Sequence, residues 1–566
     1  MNKFLLYYYT IKDLKLIQLR YQLRNRMKRK LKTKGSDKKK LSFRANDKYN
    51  LYVHELDSST DYLSRFNVDE IKMHTVTLLN ESHVVNFDLW RVPEASHLWN
   101  YNLHYLEFLI PIALKYRETK DIEWYKVWKE YVESWMKQSS YDSREPYTIS
   151  IRIPNLLIAM EVLGEVLKQD DQFYNLLNEN IYKQYIYLQS NLEYRLLANH
   201  LFENIKAIII ASLYYGEKVI YKKTVKKLKK EIKEQILSDG MHYELSIMYH
   251  HIILEDLLRL YLMMTSCGEK SDAVDLEEAI KKMTSAMCSI EKGTNRIPLF
   301  NDAGNNVAKS ANALKNSVEK ICKCKIEEDK VVFSESGYAK LYANSATLIF
   351  DAGPLGPRYM SGHAHNDCLS FELFVKGRPL IVNSGTLLYQ GAERRYFRST
   401  EAHNTFMIDN RQQAQLWGEH RAGKKHKCQL LSEADNKLIG SFVTQFGDRC
   451  ARTIEGNNNA IIISDCVETN DHNQHCMRTF FHLAPEYSLE ADKISRKIII
   501  VSRNENKRIA YFKCPEECQI IIHRGKENIC KYADEFGKMQ YVDALELKKL
   551  YKESCDSIVN IILEDK

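Results

Sequence analysis

Along the first 325 positions, apolar residues recur every three or four residues through long stretches without glycine. These stretches are Trp99–Arg117, Asp121–Gln138, Ile151–Lys168, Leu196–Tyr215, Lys218–Leu237 and Tyr249–Ser266. That spacing places one apolar face on a helix. Beyond residue 326 the pattern changes to short β-branched and aromatic runs, Ala346–Phe350, Leu369–Val375, Ala460–Ser464 and Lys497–Val501, with turns such as Lys376-Gly377 between them. Glycine marks the same division, seven in residues 1–325 against fourteen in 326–566. It is costly inside helices and common in turns. Helices first and strands second predict two stacked domains, helical over 46–325 and β over 326–566, rather than an interleaved α/β fold. No short fixed repeat is visible, so helical hairpins closing into a ring and an irregular bundle both satisfy the first half.

Residues 10–32 set Ile11, Leu14, Leu16, Ile17, Leu19 and Leu23 among Arg and Lys, which predicts an amphipathic basic helix; residues 33–41 read as a linker. Residues 1–45 therefore stand apart as an N-terminal segment. Two readings are open for it: a solvated helical arm, or contact through residues 10–40 with an anionic surface, a phospholipid membrane or an acidic polymer. The charge supports the separation. The chain carries +8, and residues 1–45 hold fifteen Lys/Arg against two Asp, a local +13, so the remainder carries −5. The basic character belongs to the N-terminus and not to the folded body.

Composition excludes several classes. With 44% apolar and 28% charged residues the chain is globular, neither disordered nor fibrous. The richest apolar run, Ile205–Leu213, is short and contains Lys206, and mean hydropathy is −0.44, so no membrane span is expected. The aromatic start Phe4–Tyr9 is too short for a signal core, and no small-residue cleavage site follows. Thirteen Cys, none in a C-x-x-C pair, fit scattered free thiols in a reducing compartment better than a disulfide scaffold. A cytoplasmic protein is the expectation, with the cell envelope as the alternative.

Three segments are dense in reactive side chains. Asn199-His200, with Glu203 and Asn204, stands at the start of an apolar helix, where free N–H groups and the helix dipole favour an anion; plain helix capping is the other reading. Asp239-Gly240 turns into a run holding His242, Tyr243, Glu244, Ser246, Tyr249, His250 and His251, which also suits a polar helix entry. The densest is Gly362-His363-Ala364-His365-Asn366-Asp367, followed by Asn383 and then by Tyr396-Phe397-Arg398 and His403-Asn404. On extended chain, His-x-His directs both rings to one side, and two imidazoles with a later His can bind a metal such as zinc. His363, His365 and Asp367 also match the H-x-H-x-D pattern of metal-dependent hydrolases, although Cys368 stands where those enzymes need His.

Taken in this order, the segments resemble the heparinase II/III-like polysaccharide lyases, a family similar to several alginate lyases. The resemblance includes Trp99–Tyr105, Asn199-His200 with Glu203, Asp239-Gly240 through His250, Phe300-Asn301-Asp302, Ser336-Gly337-Tyr338, Gly362–His365 and Tyr396 through Thr405. It implies an incomplete (α/α) toroid followed by an antiparallel β-sandwich, and β-elimination on a uronate-containing anionic polysaccharide, in the setting of capsule or exopolysaccharide metabolism. An anionic polysaccharide, and not nucleic acid, is the implied partner. Asn199 with His200 would neutralise the uronate carboxylate, Tyr249 would act as base, acid or both, and His363 would be its partner from the β domain. Such an elimination needs the carboxylate charge offset, a base for the C5 proton and an acid for the departing O4. A tyrosine is a poor base near neutrality unless cations favour its phenolate, and His200, His250 and His363 are the neighbours offered.

Arg398, whose forked donors suit a carboxylate or sulfate, and Tyr396 are assigned to the substrate at the edge of an interdomain cleft, with His104 and Tyr105. Arg398 reads equally as a salt bridge within the sandwich, and Tyr105 as a core aromatic. The family's metal position maps onto His365, Asn383 and His403, one structural divalent ion of zinc or calcium. Asn383 stands where the family pattern has Asp, so weakened binding is expected. The competing readings are a non-catalytic polysaccharide-binding or assembly protein on the same scaffold, and a hydrolase using His363, His365 and Asp367.

Overall fold

The structure is a computed structural model that describes residues 3–30, 44–46, 48–138, 140, 142–434, 436–492 and 495–564. The predicted linker and residues 31–40 of the basic segment lie outside the described residues. The predicted helix over 10–32 is two helices, Lys3–Ile11 and Leu16–Lys30. They part around Asp13, where Gln18 Oε1 accepts the Lys15 N–H (2.9 Å) and starts the second helix. The arm touches both halves of the molecule. Trp417 Nε1 donates to Thr10 Oγ1 (3.0 Å), Arg358 pairs with Asp13 (3.1 Å) and Lys15 with Glu234.

The helical half is a double layer. Leu109–Thr119, Pro146–Leu163, Ala198–Tyr214 and Ile247–Ser266 lie side by side as an inner layer, each against the next. Ile122–Lys137, Asp171–Ser190, Lys218–Gln235 and Lys270–Glu291 alternate with them in sequence and cover them outside. This is the incomplete (α/α) toroid. The patterning follows from position: Ile122–Lys137 buries one stripe, including Trp124, Trp128, Tyr131 and Trp135, whereas Ala198–Tyr214 is buried at every residue except His200. No helix among the described residues is long and apolar enough to cross a membrane.

Apart from three two-stranded pairs, the described strands form two facing antiparallel sheets. The first has five strands from Val332–Phe333 to Arg378–Ile381, and the second has twelve, running from Phe406–Ile408 to Ser554–Leu563. In the large sheet, Arg449–Gly456 and Ala460–Glu468 alternate buried and half-buried residues, as expected when one face meets the core. In the small sheet Ala346–Asp351 is buried on both faces. One face meets the large sheet, where a side chain at Gly440 would collide with Leu369, Ala352 and Phe350. The other meets the helical half, where the Tyr338 hydroxyl donates to the Leu245 carbonyl (2.5 Å) and Lys340 Nζ to those of Ser289 (2.6 Å) and Lys292 (2.7 Å).

Arg452 binds the sandwich internally. It lies opposite Asp465 on the neighbouring strand and makes a two-pronged ion pair with it (2.6 and 2.9 Å). Its remaining nitrogen donates to the carbonyls of Leu369 (2.7 Å) and Asn404 (2.6 Å), fixing the turn after His403. Both partners are buried, so Arg452→Leu leaves a carboxylate unpaired in the core. We expect it to cost about 3–5 kcal/mol in urea unfolding of the β domain, and a loss below about 1 kcal/mol would contradict this role.

Candidate active site

The site forms where helix starts of the toroid meet the loops of the small sheet. Asn199 and His200 open the helix Ala198–Tyr214, and Tyr249 lies in the first turn of Ile247–Ser266, whose Ser246 Oγ accepts the Tyr249 N–H (3.2 Å). His363 comes from the loop before Phe371–Val375. The backbone is bent sharply around these residues. Leu197, Ala198, Leu245, Asn301 and Leu369 all hold left-handed φ values of 52–65° without being glycine. Each such residue costs on the order of 1–3 kcal/mol, which surrounding contacts must offset.

Asp302 is the hub. Its buried carboxylate accepts His363 Nδ1 (2.9 Å), His365 Nε2 (2.8 Å) and Arg394 Nη2 (2.8 Å). Burial alone would raise its pKa, but the Arg394 guanidinium and the two imidazole hydrogen bonds hold the carboxyl well below the usual range. An ionised carboxylate only accepts, so both histidines present N–H groups to it. His363 thereby keeps Nε2 on its far side, 3.4 Å from Glu244 Oε2. Glu244 Oε1 accepts the Asn199 N–H (2.9 Å), and burial lifts its pKa against the pull of His363.

The Tyr249 ring packs on His363 with centroids 4.1 Å apart, and its hydroxyl meets that of Tyr389 at 2.9 Å. Burial, then Tyr389, Asp302 and Glu244, raise the Tyr249 pKa well above its ordinary value. The expected acidification by neighbouring cations is not what the structure has. His250 is fully buried, sharing its nitrogens with the Met283 carbonyl (2.9 Å) and the His242 N–H (3.2 Å), and burial pushes its pKa down to about 3. Asn199, Tyr249 and His363 thus converge through Glu244, with His200 alongside. Solvent access is narrow, 29% of the His200 side chain and 9% of His363.

Other expected site residues serve the fold. His104 is fully buried, with Trp135 Nε1 donating to its Nδ1 (3.2 Å) and Ser140 Oγ at its Nε2 (3.2 Å), so no atom is open to a ligand. Arg398 is buried too, its donors spent on the carbonyls of Ala364 (3.0 Å), Glu419 (2.7 Å) and Ser361 (3.3 Å). It binds no carboxylate, but pins the segment that carries His363. Tyr396 is buried and donates to the Ile529 carbonyl (3.1 Å). Tyr105 stays near the site, its ring 6.3 Å from that of Tyr147, which is 4.5 Å from the His200 ring. Asp302, Glu244, Tyr389, Arg394 and Glu193 were not assigned from sequence. Asp302 and Glu244 lie inside the recognised segments, whereas Tyr389, Arg394 and Glu193 carry no local signal.

His365, Asp367 and His403 form a buried group whose ligand atoms lie within 4.8 Å of one another. Asn383 adjoins it, its Oδ1 3.4 Å from His403 Nδ1 and accepting from Ser370 Oγ (2.7 Å). Among the described residues His365 Nδ1 and His403 Nε2 are buried without a well-aligned hydrogen bond, although the Phe397 carbonyl lies near the His403 ring, and such nitrogens can face an ion. The residues therefore fit a metal, with Asp367 supplying the carboxylate that position 383 lacks. His363 stands outside the group, bound to Asp302 on one nitrogen, so His363, His365 and Asp367 do not make the ligand set of the hydrolase reading.

Both halves of the chain are similar to known proteins. Residues 2–331 match the family model of the heparinase II/III N-terminus, and residues 326–557 that of the heparinase II/III-like C-terminal region. A heparin-sulfate lyase of Pedobacter heparinus is 23% identical over 363 residues, 58% of this chain and 54% of that protein. The chain spans about half the length of the curated relatives it matches. The crystal structure of heparinase III aligns with a TM-score of 0.69 at 16% identity, covering 97% of this chain and 91% of that one. A chondroitin AC lyase of Streptomyces coelicolor aligns at 0.51 and 9% identity, covering 91% and 81%. The toroid followed by antiparallel sheets is the fold these structures share.

His200 is the group whose charge is most open to test. Burial opposes its protonation, but the Glu193 carboxylate, hydrogen-bonded to Nδ1 at 3.2 Å, outweighs it and raises the pKa. The stability this pair contributes is then complete below about pH 6.5 and is lost as pH rises through the folded-state pKa. Glu193→Gln should lower the His200 pKa followed by NMR titration of its ring and remove that part of the stability profile. An unchanged titration would refute the coupling.

Proposed function

We infer, since the chain belongs to the heparinase II/III-like family, that it cleaves a uronate-containing anionic polysaccharide by β-elimination. The observation that supports this best is the contact of the Tyr249 ring with that of His363 (4.1 Å) beside Asn199 and His200. In this reading the amide of Asn199 and the imidazolium of His200 receive the uronate carboxylate and offset its charge as the C5 proton leaves. His363 takes that proton on Nε2, because Asp302 already holds its Nδ1–H. Tyr249, whose buried phenol keeps its proton, gives it to O4 as the C4–O4 bond breaks and the C4–C5 double bond forms. The Tyr389 hydroxyl occupies the place from which a departing sugar oxygen would accept that proton, so substrate entry displaces Tyr389. Heparan sulfate, a substrate of the kind named for the relatives, is the first polymer to try, and a link to capsule or exopolysaccharide metabolism is part of the same proposal.

The group His365, Asp367 and His403, with Asn383, suits one structural divalent cation. Two imidazoles and a carboxylate favour zinc over calcium, which takes oxygen ligands. Such an ion would tie together the strands that present His363. Elemental analysis should find less bound metal in His403→Ala and tighter retention in Asn383→Asp. Equal metal content in all three proteins would contradict the assignment.

The catalytic assignment is tested at Tyr249. Tyr249→Phe keeps the ring on His363 and removes the transferable proton, so we expect at least about a 10²-fold loss of rate on a cleaved polysaccharide with little change in stability. A folded, fully active Phe variant would remove Tyr249 from the chemistry.

A further inference from the structure

A second cluster of metal-ligand type lies outside the groups already described. Cys368, His426 and Cys428 bring two sulfurs and an imidazole nitrogen within 4.8 Å of one another. His426 directly precedes the strand Lys427–Ala434 and Cys428 is its second residue, and alternation along extended chain turns both side chains to one side. Cys368 lies in the turn before the small-sheet strand Phe371–Val375. Its N–H donates to Gln413 Oε1 (3.1 Å), and its carbonyl accepts from Gln413 Nε2 (3.0 Å) and Thr405 Oγ1 (2.7 Å).

His426 is the unexplained member. It is 8% exposed, and neither ring nitrogen makes a well-aligned hydrogen bond among the described residues, although the Gly353 carbonyl lies beside the ring. One carbonyl can serve only one ring nitrogen, and a buried imidazole left this poorly paired is costly, because buried polar atoms are nearly always paired. The two cysteines are joined as a disulfide in the structure, but their Cα atoms stand 7.1 Å apart. Disulfides ordinarily span about 4.4–6.8 Å between Cα atoms, so this backbone spacing leaves room for an ion between separated sulfurs. The other eleven cysteines form no disulfide.

We propose that Cys368, Cys428 and His426 form a second metal site, selective for a soft divalent cation of the zinc type and formed when the cysteine pair is reduced. Two thiolates and an imidazole are zinc-type ligands, and three protein ligands leave a tetrahedral position for water. The chemistry balances in two steps. A dithiol reductant gives up two electrons and two protons to the Cys368–Cys428 bond and becomes a disulfide, leaving two thiols here. The cation then displaces one proton from each thiol and takes the lone pair of His426. Because Cys368 directly follows Asp367, an ion here braces the segment that carries His363 and His365 against the strand Lys427–Ala434.

Cobalt(II) distinguishes the two sites, since only thiolate ligands give an intense ultraviolet charge-transfer band, and the His365 group contains no sulfur. The full chain, reduced with dithiothreitol, freed of it and titrated with cobalt(II), should develop that band and saturate it within two equivalents, since the His365 group also takes cobalt. The band should vanish in Cys428→Ser and Cys368→Ser and persist in His403→Ala. His426→Gln should raise the cobalt needed for half-saturation at least about 10-fold, the least expected from loss of even an outer partner. The oxidised protein should show no band. A folded, reduced chain without the band, or a band undiminished in both serine variants, would overturn the proposal.

Discussion

One buried carboxylate holds the two halves of this molecule in chemical register. Asp302 lies in the loop between the helices Lys270–Glu291 and Ala311–Ile321, and its side chain reaches the β half through His363, His365 and Arg394. Its backbone works in the same direction: its N–H donates to the His363 carbonyl (3.0 Å), and its own carbonyl accepts Ser246 Oγ (2.5 Å) from the helix that carries Tyr249. Removing the carboxylate would strand the Arg394 cation in the core and release both imidazoles from their tautomers. The Tyr249–His363 contact and the metal-type group therefore depend on a single residue, and the strained turns at Leu245, Asn301 and Leu369 lie next to the residues it organises.

This arrangement explains why the polar residues of one motif divide between chemistry and support. His363 and Arg398 belong to neighbouring loops, yet one offers a ring nitrogen towards the site while the other spends its donors on three backbone carbonyls. A loop that must hold an imidazole to within a fraction of an ångström needs such anchoring, because a small displacement of a reacting group costs much of its effect. His104 and Tyr396 do similar work further away, satisfying buried donors and acceptors between elements.

The fold was legible because its signals are local. Helical periodicity, β-branched runs and the uneven distribution of glycine are each read within a short window, and they separate the toroid from the sheets. The recognised segments also contain Asn199, His200, Tyr249 and His363, which the structure brings close together. What stayed hidden depends on distance along the chain. Arg394 meets Asp302 across 92 positions, and Tyr389 meets Tyr249 across 140, with no periodicity to announce either. Asp367 was visible beside His365, but only side-chain direction within the loop shows that it, and not His363, joins His365 and His403. Burial likewise separates Arg398 from an exposed ligand-binding arginine, and residue type alone cannot show it.

The central claim is that these groups perform an elimination rather than a hydrolysis or mere binding. Product analysis by mass spectrometry, after incubating the protein with heparan sulfate and other uronate polysaccharides, tests it most directly. Elimination yields chains ending in a C4–C5 unsaturated uronate, lighter by one water than hydrolysis products and absorbing in the ultraviolet. The account predicts that unsaturated terminus on a cleaved polymer. Saturated, water-added termini, or tight polymer binding with no cleavage across the whole panel, would contradict it.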